Sequence, residues 1–464
     1  MAAVLMFPQT AALNARAAAA AACTISCCCC CYYCSSLISS VHIRRTHLQK
    51  RQLLFSRHRE HLLITRVRVR KATTMAQQTT AQTLRGVSEE ESSETTGSGK
   101  TPPTGPQERV LVGCGGAALD FLASVESFPQ PDEKMRTTEL QVKGGGNVGN
   151  ALTAASRLGL NTRIFTKVAN DGPGKQILDE LQGDGIDTSN VVIAEVGISP
   201  FTYVIVDKET STRTCIHTPG SPPLEPQELT LTTINALLTG AHLVYFDGRL
   251  TDTALILAKE ATERHLPILV DAERKREGLD NLLTFADYIV ASAKFPLSWT
   301  EEPTLAEALL TMMVRLPRAK FLIVTLGASG CVMLERHSSD VAESKTQNLE
   351  MLLETLLKEA EGLNPSQPSV VSSKVVKLTS NSSKRTLTGR LLVGTAEAIP
   401  SAELVDTTGA GDAFIGAVMY SLLAGLGPEK MLPLGAVVAA GSCRALGART
   451  GVPGRLDTKV AAFL

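Results

Sequence analysis

Short buried strands alternate with helical stretches along most of this chain, and this alternation limits the possible folds more than any other feature. Apolar strand patterns occur at Arg109–Gly113, Ile164–Val168, Leu243–Phe246, Ile268–Asp271, Tyr288–Ala291 and Phe321–Leu326. Helical stretches such as Lys175–Gly183 lie between them. Short apolar runs separated by helices are typical of parallel strands with both faces covered. The sequence therefore predicts an α/β fold with a doubly wound, mostly parallel sheet.

Two segments depart from this rhythm and predict a second, smaller sheet. Residues 134–143 and 201–217 are strand-like, and apolar and polar side chains alternate along Phe201–Val206 before a turn at Asp207–Thr210. Alternation with a period of two indicates strands that have one face on the core and one face in solvent. We expect these segments to form a small β-sheet lid beside the main sheet.

The first 107 residues have a different composition from the rest. Residues 1–75 are rich in Ala, Ser, Arg and Thr, and Glu60 is the one acid before Lys71. This composition is typical of an organellar transit peptide, with a plastid favoured over a mitochondrion. A secretory signal with an apolar core at Ala17–Cys31 and an untranslated leader are alternatives, and a start at Met75 would give a cytosolic protein. Residues 76–107 are predicted to be a disordered linker, followed by one domain at 108–464.

Charge and cysteine content exclude several classes of partner. The 464 residues carry 46 basic and 46 acidic side chains, so net charge indicates no nucleic-acid or acidic-membrane partner. No uninterrupted apolar run reaches the roughly 18 residues that a membrane span requires. Seven of the 11 cysteines lie in Cys23–Cys34, and the others are scattered singly, which predicts no zinc site in the domain.

The segment at about 337–392 interrupts the alternation a second time. It contains an amphipathic helix at Leu349–Leu363 and a Ser-rich stretch at 364–385. We interpret it as an insertion on the surface of the fold.

A glycine-rich turn with an acid at its end carries the strongest chemical signal. Asp406-Thr407-Thr408-Gly409-Ala410-Gly411-Asp412 leads directly into an apolar, helix-forming run. Backbone amides of Gly409, Ala410 and Gly411 at a helix N-terminus would form an anion hole. Asp412 beside that hole could accept the proton of an attacking hydroxyl. This arrangement is suited to phosphoryl transfer.

Two further glycine-rich turns accompany it. Lys143-Gly144-Gly145-Gly146-Asn147-Val148-Gly149-Asn150 precedes a helix, and Thr325-Leu326-Gly327-Ala328-Ser329-Gly330 follows a buried strand. Glycines allow the backbone to approach a polyhydroxylated substrate, and the Asn150 amide can both donate to and accept from hydroxyls. A carboxylate such as Asp120 can accept hydrogen bonds from two neighbouring hydroxyls.

Together these motifs resemble those of the PfkB (ribokinase-like) carbohydrate kinases from about Val110 to the C-terminus, closest to a ketohexokinase/fructokinase-like branch. The resemblance implies ATP and Mg²⁺ as cofactors, with a monovalent cation such as K⁺ as an addition, and a homodimer formed through the lid. It also implies site roles: Asp412 as general base, an acceptor site and a nucleotide site, with no protein side chain assigned as a metal ligand. The acceptor site comprises Asp120, Gly145, Gly146 and Asn150, and the nucleotide site comprises Ser292, Thr325, Gly327 and Gly330.

One motif of that family is absent. Many members carry an Asn and a Glu three residues apart where this chain has Ala291-Ser292-Ala293-Lys294. Ser292 could still bond a phosphate and Lys294 could neutralise it, and Mg²⁺ would then be held mainly through waters.

The predicted function is ATP-dependent phosphorylation of a primary hydroxyl on a sugar or sugar-like metabolite. A nucleoside or pseudouridine kinase and a non-catalytic PfkB-like subunit of an organellar assembly are alternatives within the family. Outside it, Gly113-Cys114-Gly115-Gly116-Ala117-Ala118 fits a loose dinucleotide fingerprint, so a nicotinamide oxidoreductase is the third alternative.

Overall fold

A computed structural model describes residues 108–210, 212–338, 345–380 and 384–464. The predicted transit peptide and linker, and the localisation inferred from them, lie outside the described residues. In the described part of the chain, no helix combines the length and apolarity needed to cross a bilayer.

The described residues form eighteen strands. In chain order they are β1 (Val110–Cys114), β2 (Ala118–Val125), β3 (Glu139–Gly145), β4 (Asn161–Phe165), β5 (Lys167–Ala169), β6 (Ile186–Asp187), β7 (Val192–Ala194), β8 (Phe201–Asp207), β9 (Thr212–Thr218), β10 (Ala241–Phe246), β11 (Ile268–Ala272), β12 (Tyr288–Ser292), β13 (Phe321–Thr325), β14 (Cys331–Arg336), β15 (Thr346–Asn348), β16 (Val370–Ser372), β17 (Val376–Thr379) and β18 (Thr386–Gly394).

Eleven α-helices accompany these strands in the same described ranges. They are α1 (Asn147–Arg157), α2 (Gly172–Gly183), α3 (Leu231–Leu238), α4 (Thr251–Glu263), α5 (Leu279–Leu283), α6 (Phe295–Thr300), α7 (Leu305–Arg315), α8 (Leu349–Glu361), α9 (Ala410–Ala424), α10 (Pro428–Ser442) and α11 (Thr458–Ala461).

The main sheet has the order β15-β17-β18-β14-β13-β12-β11-β10-β1-β4-β6, with β16 also paired to β18. Pairing is parallel from β6 through β13 and antiparallel at β13–β14 and β14–β18. Because parallel strands point the same way, the carboxyl ends of β1, β10, β11, β12 and β13 meet at one edge of the sheet. Ligands of such sheets bind at that edge.

Helices cover both faces of the main sheet, which confirms the predicted doubly wound fold. On one face, α4 and α7 contribute residues such as Leu257 and Leu309 to a core that also contains the sheet residue Val244. On the other face, α1, α9 and α10 pack through residues such as Leu152 and Val418 against Leu243. Alternate residues of one strand therefore enter different cores, as the pleat requires.

The predicted small sheet exists and has four strands, in the order β3-β2-β8-β9. The prediction at 201–217 is confirmed as the hairpin of β8 and β9, whose register pairs Phe201 with Thr218. The prediction at 134–143 is only half right because β3 begins at Glu139. The strand β2 was missed, although it is central to this sheet, and it pairs in parallel with β8 across a long separation in sequence.

The segment at about 337–392 is not a simple loop extension in its described parts. It contributes β15, β16, β17 and most of β18 to the main sheet. The predicted helix is present as α8, and it buries Leu349, Leu353 and Leu356 in the core on one face of the sheet. Within the Ser-rich stretch, Val376 and Leu378 are also core residues.

Candidate active site

The helix α9 begins in the glycine-rich turn that the sequence singled out. Gly409 occupies its N-cap with φ 74°, a left-handed conformation that glycine adopts at little cost. The Asp406 carboxylate holds the turn by accepting from Thr408 N at 2.9 Å, Thr408 Oγ1 at 2.7 Å and Gly447 N at 3.0 Å. Because these hydrogen bonds hold the turn in place, the positive end of the α9 dipole has a fixed direction.

Two of the three predicted anion-hole amides are free in the structure. Within the described part of the chain, the N–H groups of Gly409 and Gly411 donate no hydrogen bond, whereas Ala410 N donates to Thr407 O at a long 3.4 Å. Free amides in the first turn of a helix are ready-made anion ligands.

Asp412 stands in that first turn and is held by a residue from the other glycine-rich motif. Asn150 Nδ2 on α1 donates to Asp412 Oδ2 at 2.8 Å. Burial raises the pKa of the Asp412 carboxyl from 3.8 to about 7, although the Asn150 hydrogen bond works in the opposite direction. A carboxyl with a pKa near neutrality is well matched to accepting a proton at physiological pH.

Asp120 lies on β2, in the wall of the same cavity. Its burial raises the pKa of the carboxyl to about 6, and a hydrogen bond with the Thr202 side chain and the nearby Arg449 guanidinium oppose the rise. Buried carboxylates are strong hydrogen-bond acceptors when a ligand supplies the donors.

Each glycine of the turn before α1 serves a different purpose. A Cβ at Gly145 would lie 2.1 Å from Asp120 Oδ2, so this glycine makes room for the carboxylate instead of contacting the cavity. Gly146 has φ 88° and approaches the backbone of Gly116 and Ala117 so closely that a Cβ would lie 2.7 Å from both. The glycines thus bring β1, β2 and α1 together, in addition to any contact with substrate.

A cavity of about 790 Å³ brings most of the predicted site residues together. Its wall includes Asp120, Gly146, Asn150, Ser292, Thr325, Gly409, Ala410, Gly411 and Asp412. Gly145, Gly327 and Gly330 are not part of this wall. The last two shape the turn between β13 and β14, with φ 62° and φ 84°, and Leu326 N donates to Gly330 O at 2.7 Å.

The two predicted nucleotide-site hydroxyls make local hydrogen bonds. Ser292 Oγ donates to the Glu273 carbonyl at 2.5 Å, and Thr325 Oγ1 donates to the Ala291 carbonyl at 3.4 Å. Ser292 therefore ties β12 to the loop after β11, and its hydroxyl hydrogen is committed there. Its assignment to the nucleotide stays a prediction.

The charged residues at the ends of β10 and β11, to which the sequence assigned no site role, form a network in the structure. Asp247 is buried and accepts from Gly116 N at 2.7 Å and from Arg249 N at 3.0 Å. Arg249 Nη2 donates to Asn147 Oδ1 at 3.1 Å and lies 3.5 Å from Glu273 Oε2. The turn that resembled a dinucleotide fingerprint therefore binds the Asp247 carboxylate.

Asp271 completes this network in the cavity wall. Burial, together with Asp412, Glu273 and Asp247, raises the pKa of its carboxyl well above the ordinary value. The sequence signal that could have identified these residues is their position. They directly follow strands whose carboxyl ends form the ligand-binding edge of a parallel sheet.

The residues present fit a hydrated divalent cation better than a closed metal cage. In the described ranges, no group of three or more His, Cys, Asp or Glu side chains is arranged to hold a metal ion. Asp271 and Glu273 could hold Mg²⁺ through water, because this ion is commonly bound by one or two carboxylates together with substrate phosphates.

The fold and the site define a phosphotransferase of the ribokinase-like class. The sequence matches pfkB family carbohydrate kinases over residues 111–349 and 393–455, and the chain belongs to this family. The unmatched residues 350–392 fall in the segment predicted as an insertion.

Individual relatives are distant but match over nearly their whole length. Mouse (Mus musculus) ketohexokinase is 21% identical over 73% of this chain and 97% of its own. A putative ribokinase from Agrobacterium tumefaciens has a TM-score of 0.56, with 22% identity over 76% of this chain and 97% of its own. A putative ribokinase II from E. coli, in complex with ATP and Mg²⁺, has a TM-score of 0.55 and 16% identity over 76% and 98%. These likenesses confirm the fold and the kinase class that the motifs predicted.

Proposed function

We propose that this protein transfers the γ-phosphoryl group of ATP to a primary hydroxyl of a sugar or sugar-like metabolite. The observation that carries the proposal is the placement of Asp412. Its carboxyl lines the same cavity as Asp120 and Asn150, lies one residue from the free amide of Gly411, and has a pKa raised to about 7 by burial.

The proposed roles follow from this arrangement. Asp120 accepts hydrogen bonds from acceptor hydroxyls, while Asn150 holds Asp412. Asp412 takes the proton of the attacking hydroxyl. The amides of Gly409 and Gly411, at the positive end of α9, stabilise the charge that develops on the transferred group.

ATP would be bound with Mg²⁺, as in the E. coli relative, and the metal would neutralise phosphate charge during transfer. In this chain, Arg249 and the carboxylates of Asp271 and Glu273 face the cavity and are the side chains that would order the hydrated ion and the phosphates. A monovalent cation stays a prediction of the resemblance.

The lid sheet has two unlike faces that suit closure and self-association. Its inner face carries Asp120 and packs Leu122, Val204 and Val206 against Leu446. Its outer face exposes Leu140 at 62%, Tyr203 at 51% and Ile216 at 54% of their surfaces. Exposed apolar patches of this kind mark interaction surfaces, so a homodimer through the outer face belongs to the proposal.

A substrate panel tests the proposed function. ADP release is measured with ATP and Mg²⁺ across ketoses, ribose, inositol and nucleosides, with the wild type and Asp412→Asn in parallel. We expect one class of acceptor to stimulate ADP release in the wild type alone. Stimulation confined to nucleosides would replace sugar with nucleoside as the acceptor, and no stimulation by any acceptor would favour a non-catalytic subunit.

A further inference from the structure

A buried arginine from the last part of the chain lies directly behind the proposed acceptor site. Arg449 is 4% exposed, and its guanidinium reaches the glycine-rich turn and α1. Nε donates to Asn150 Oδ1 at 3.0 Å, and Nη2 donates to Gly145 O at 2.7 Å. Nη1 has no hydrogen-bond partner among the described residues although it is buried.

The glycine spacing of the turn leaves room for this guanidinium. A Cβ at Gly144 would lie 2.5 Å from Arg449 Nη1, and a Cβ at Gly149 would lie 2.2 Å from Nη2. Contacts this short exclude any side chain at either position while Arg449 stays in place. A Cβ at Gly144 would also lie 2.7 Å from Glu180 Oε2, so Gly144 leaves room for Arg449 and Glu180, and Gly149 leaves room for Arg449.

The guanidinium decides which way the Asn150 amide points. An arginine side chain has five N–H donors and no acceptor, so it can face the oxygen of an amide but not its NH₂ group. With Oδ1 committed to Arg449, Nδ2 of Asn150 is directed at Asp412 Oδ2, 2.8 Å away. In the reverse orientation, the NH₂ group of Asn150 would face the N–H donors of Arg449. The amide oxygen would then face the Asp412 carboxylate.

We propose that Arg449 is a positioning residue that locks Asn150 in the orientation that donates to Asp412, and so keeps the Asp412 carboxylate ready to accept a proton. The proposal rests on the proposed function of Asp412. Arg449 acts through Asn150, since it contacts that residue and not Asp412 itself.

Other charged groups surround both Arg449 and Asp412. Arg449 is faced by Asp184, Glu180, Asp120 and Arg157. Asp412 is faced by Glu273, Asp247, Asp271 and Arg249. Glu180 also accepts from Gly144 N at 2.6 Å, so the acidic partners of Arg449 are themselves held in place. Replacing Arg449 leaves the groups around Asp412 in place but also removes a charge that lowers the pKa of Asp120, so the comparison with Asn150 variants is needed to isolate the orientation of Asn150.

The test compares Arg449→Met with a matched arginine far from the cavity. Arg336 is a suitable control because it is half-buried and its Nε donates to the Ala319 carbonyl at 2.9 Å. For Arg449→Met, we expect the acid limb of the kcat/KM–pH profile to move up by about one pH unit, because a hydrogen bond to the charged form is lost. Activity should fall several-fold near pH 7 and recover towards pH 9. Arg336→Met should lower the melting temperature without moving the limb.

A double-mutant cycle separates action through Asn150 from an independent effect. Asn150→Ala should move the acid limb by as much as Arg449→Met, and the double variant should move it no further. Additive shifts, or an unmoved limb in folded Arg449→Met, would overturn the proposal. If Arg449→Met does not fold, Arg449→Gln decides in the same way, because an amide carries an acceptor as well as donors and does not dictate which way Asn150 points. Retained turnover in Asp412→Asn would instead reject the proposed function itself.

Discussion

The Nδ2 atom of Asn150 and the Oδ2 atom of Asp412 are joined by a 2.8 Å hydrogen bond across 262 positions of sequence. The bond joins the first helix after the glycine-rich turn to the helix that begins at the anion hole. It opposes the effect of burial on the pKa of Asp412, so the carboxyl stays near the value at which a base is most effective.

Asp412→Asn should remove turnover while leaving the fold intact. General-base catalysis contributes about 10²–10⁴-fold, so kcat should fall by at least about 100-fold. Steady-state ADP release with the accepted acceptor measures this. Asp252→Asn is the matched control, because Asp252 is an exposed acid in the first turn of α4, outside the cavity wall. Near wild-type turnover in Asp412→Asn would refute the assignment.

The kcat/KM–pH profile should have an acid limb near pH 7. The base must be ionised to accept a proton, and the pKa of Asp412 is raised to about 7, so activity rises as pH increases through that value. An ordinary carboxylate would place the limb near 4. Initial rates measured from pH 5 to pH 9 at saturating ATP give the limb, and a limb near 4 would mean that another group is titrating.

Asp412→Asn should also stabilise the protein, and more at high pH than at low pH. Because the folded pKa is above the unfolded one, the folded state binds more protons between about pH 4 and pH 7, and the free energy of unfolding falls across this window. The amide side chain of the variant does not titrate in this window, so the variant does not lose this free energy of unfolding. Melting temperatures of both proteins should coincide near pH 4 and diverge above pH 7, and a variant less stable at pH 8 would contradict the expectation.

The two glycines of the proposed anion hole should respond differently to substitution by alanine. Gly409 has φ 74°, and a Cβ there would lie 2.5 Å from the Ala448 Cβ, so Gly409→Ala should lower stability by about 1–2 kcal/mol or more. Gly411 lies inside α9, where a Cβ would meet nothing within 4 Å. Gly411→Ala should therefore fold as well as the wild type.

The activity of Gly411→Ala then tests whether the transferred phosphoryl group lies beside Gly411. Its new methyl group would occupy open space at the cavity wall, where we place the transferred phosphoryl group. We expect a lower kcat in a protein of unchanged or slightly higher melting temperature. Full activity in Gly411→Ala would show that the phosphoryl group lies elsewhere.

Charge on the outer face of the lid should dissociate the proposed dimer. Tyr203 is half exposed and contacts Phe121 and Phe201 on that face. Burying an unpaired carboxylate in an interface is costly, so Tyr203→Glu should give a monomer by light scattering. Leu231→Glu, at a residue 77% exposed outside the lid, is the control and should keep the wild-type mass. A monomeric wild type would remove the dimer from the proposal.

Local patterns were sufficient for the parallel part of the main sheet and for the turn at which α9 begins. The apolar runs at β10–β13 predicted a parallel sheet, and the Asp406–Asp412 turn predicted an anion hole beside an acid, because both depend on residues that are neighbours in the chain. Local sequence patterns did not identify a strand whose pairing partner is distant in the sequence. Thus β2 was missed, since its parallel partner β8 lies far away in sequence.

The sequence by itself determined the class of fold, the helix start at Gly409 and the presence of an acid there. Tertiary structure decided which groups surround that acid. It placed Arg249 and Asp271 in the cavity and left Gly327 and Gly330 out of its wall. It also showed that Gly144, Gly145 and Gly149 accommodate Arg449 and Asp120. The physical reason is that glycine patterns record only where space is needed, whereas the side chain that fills the space arrives from a distant part of the chain.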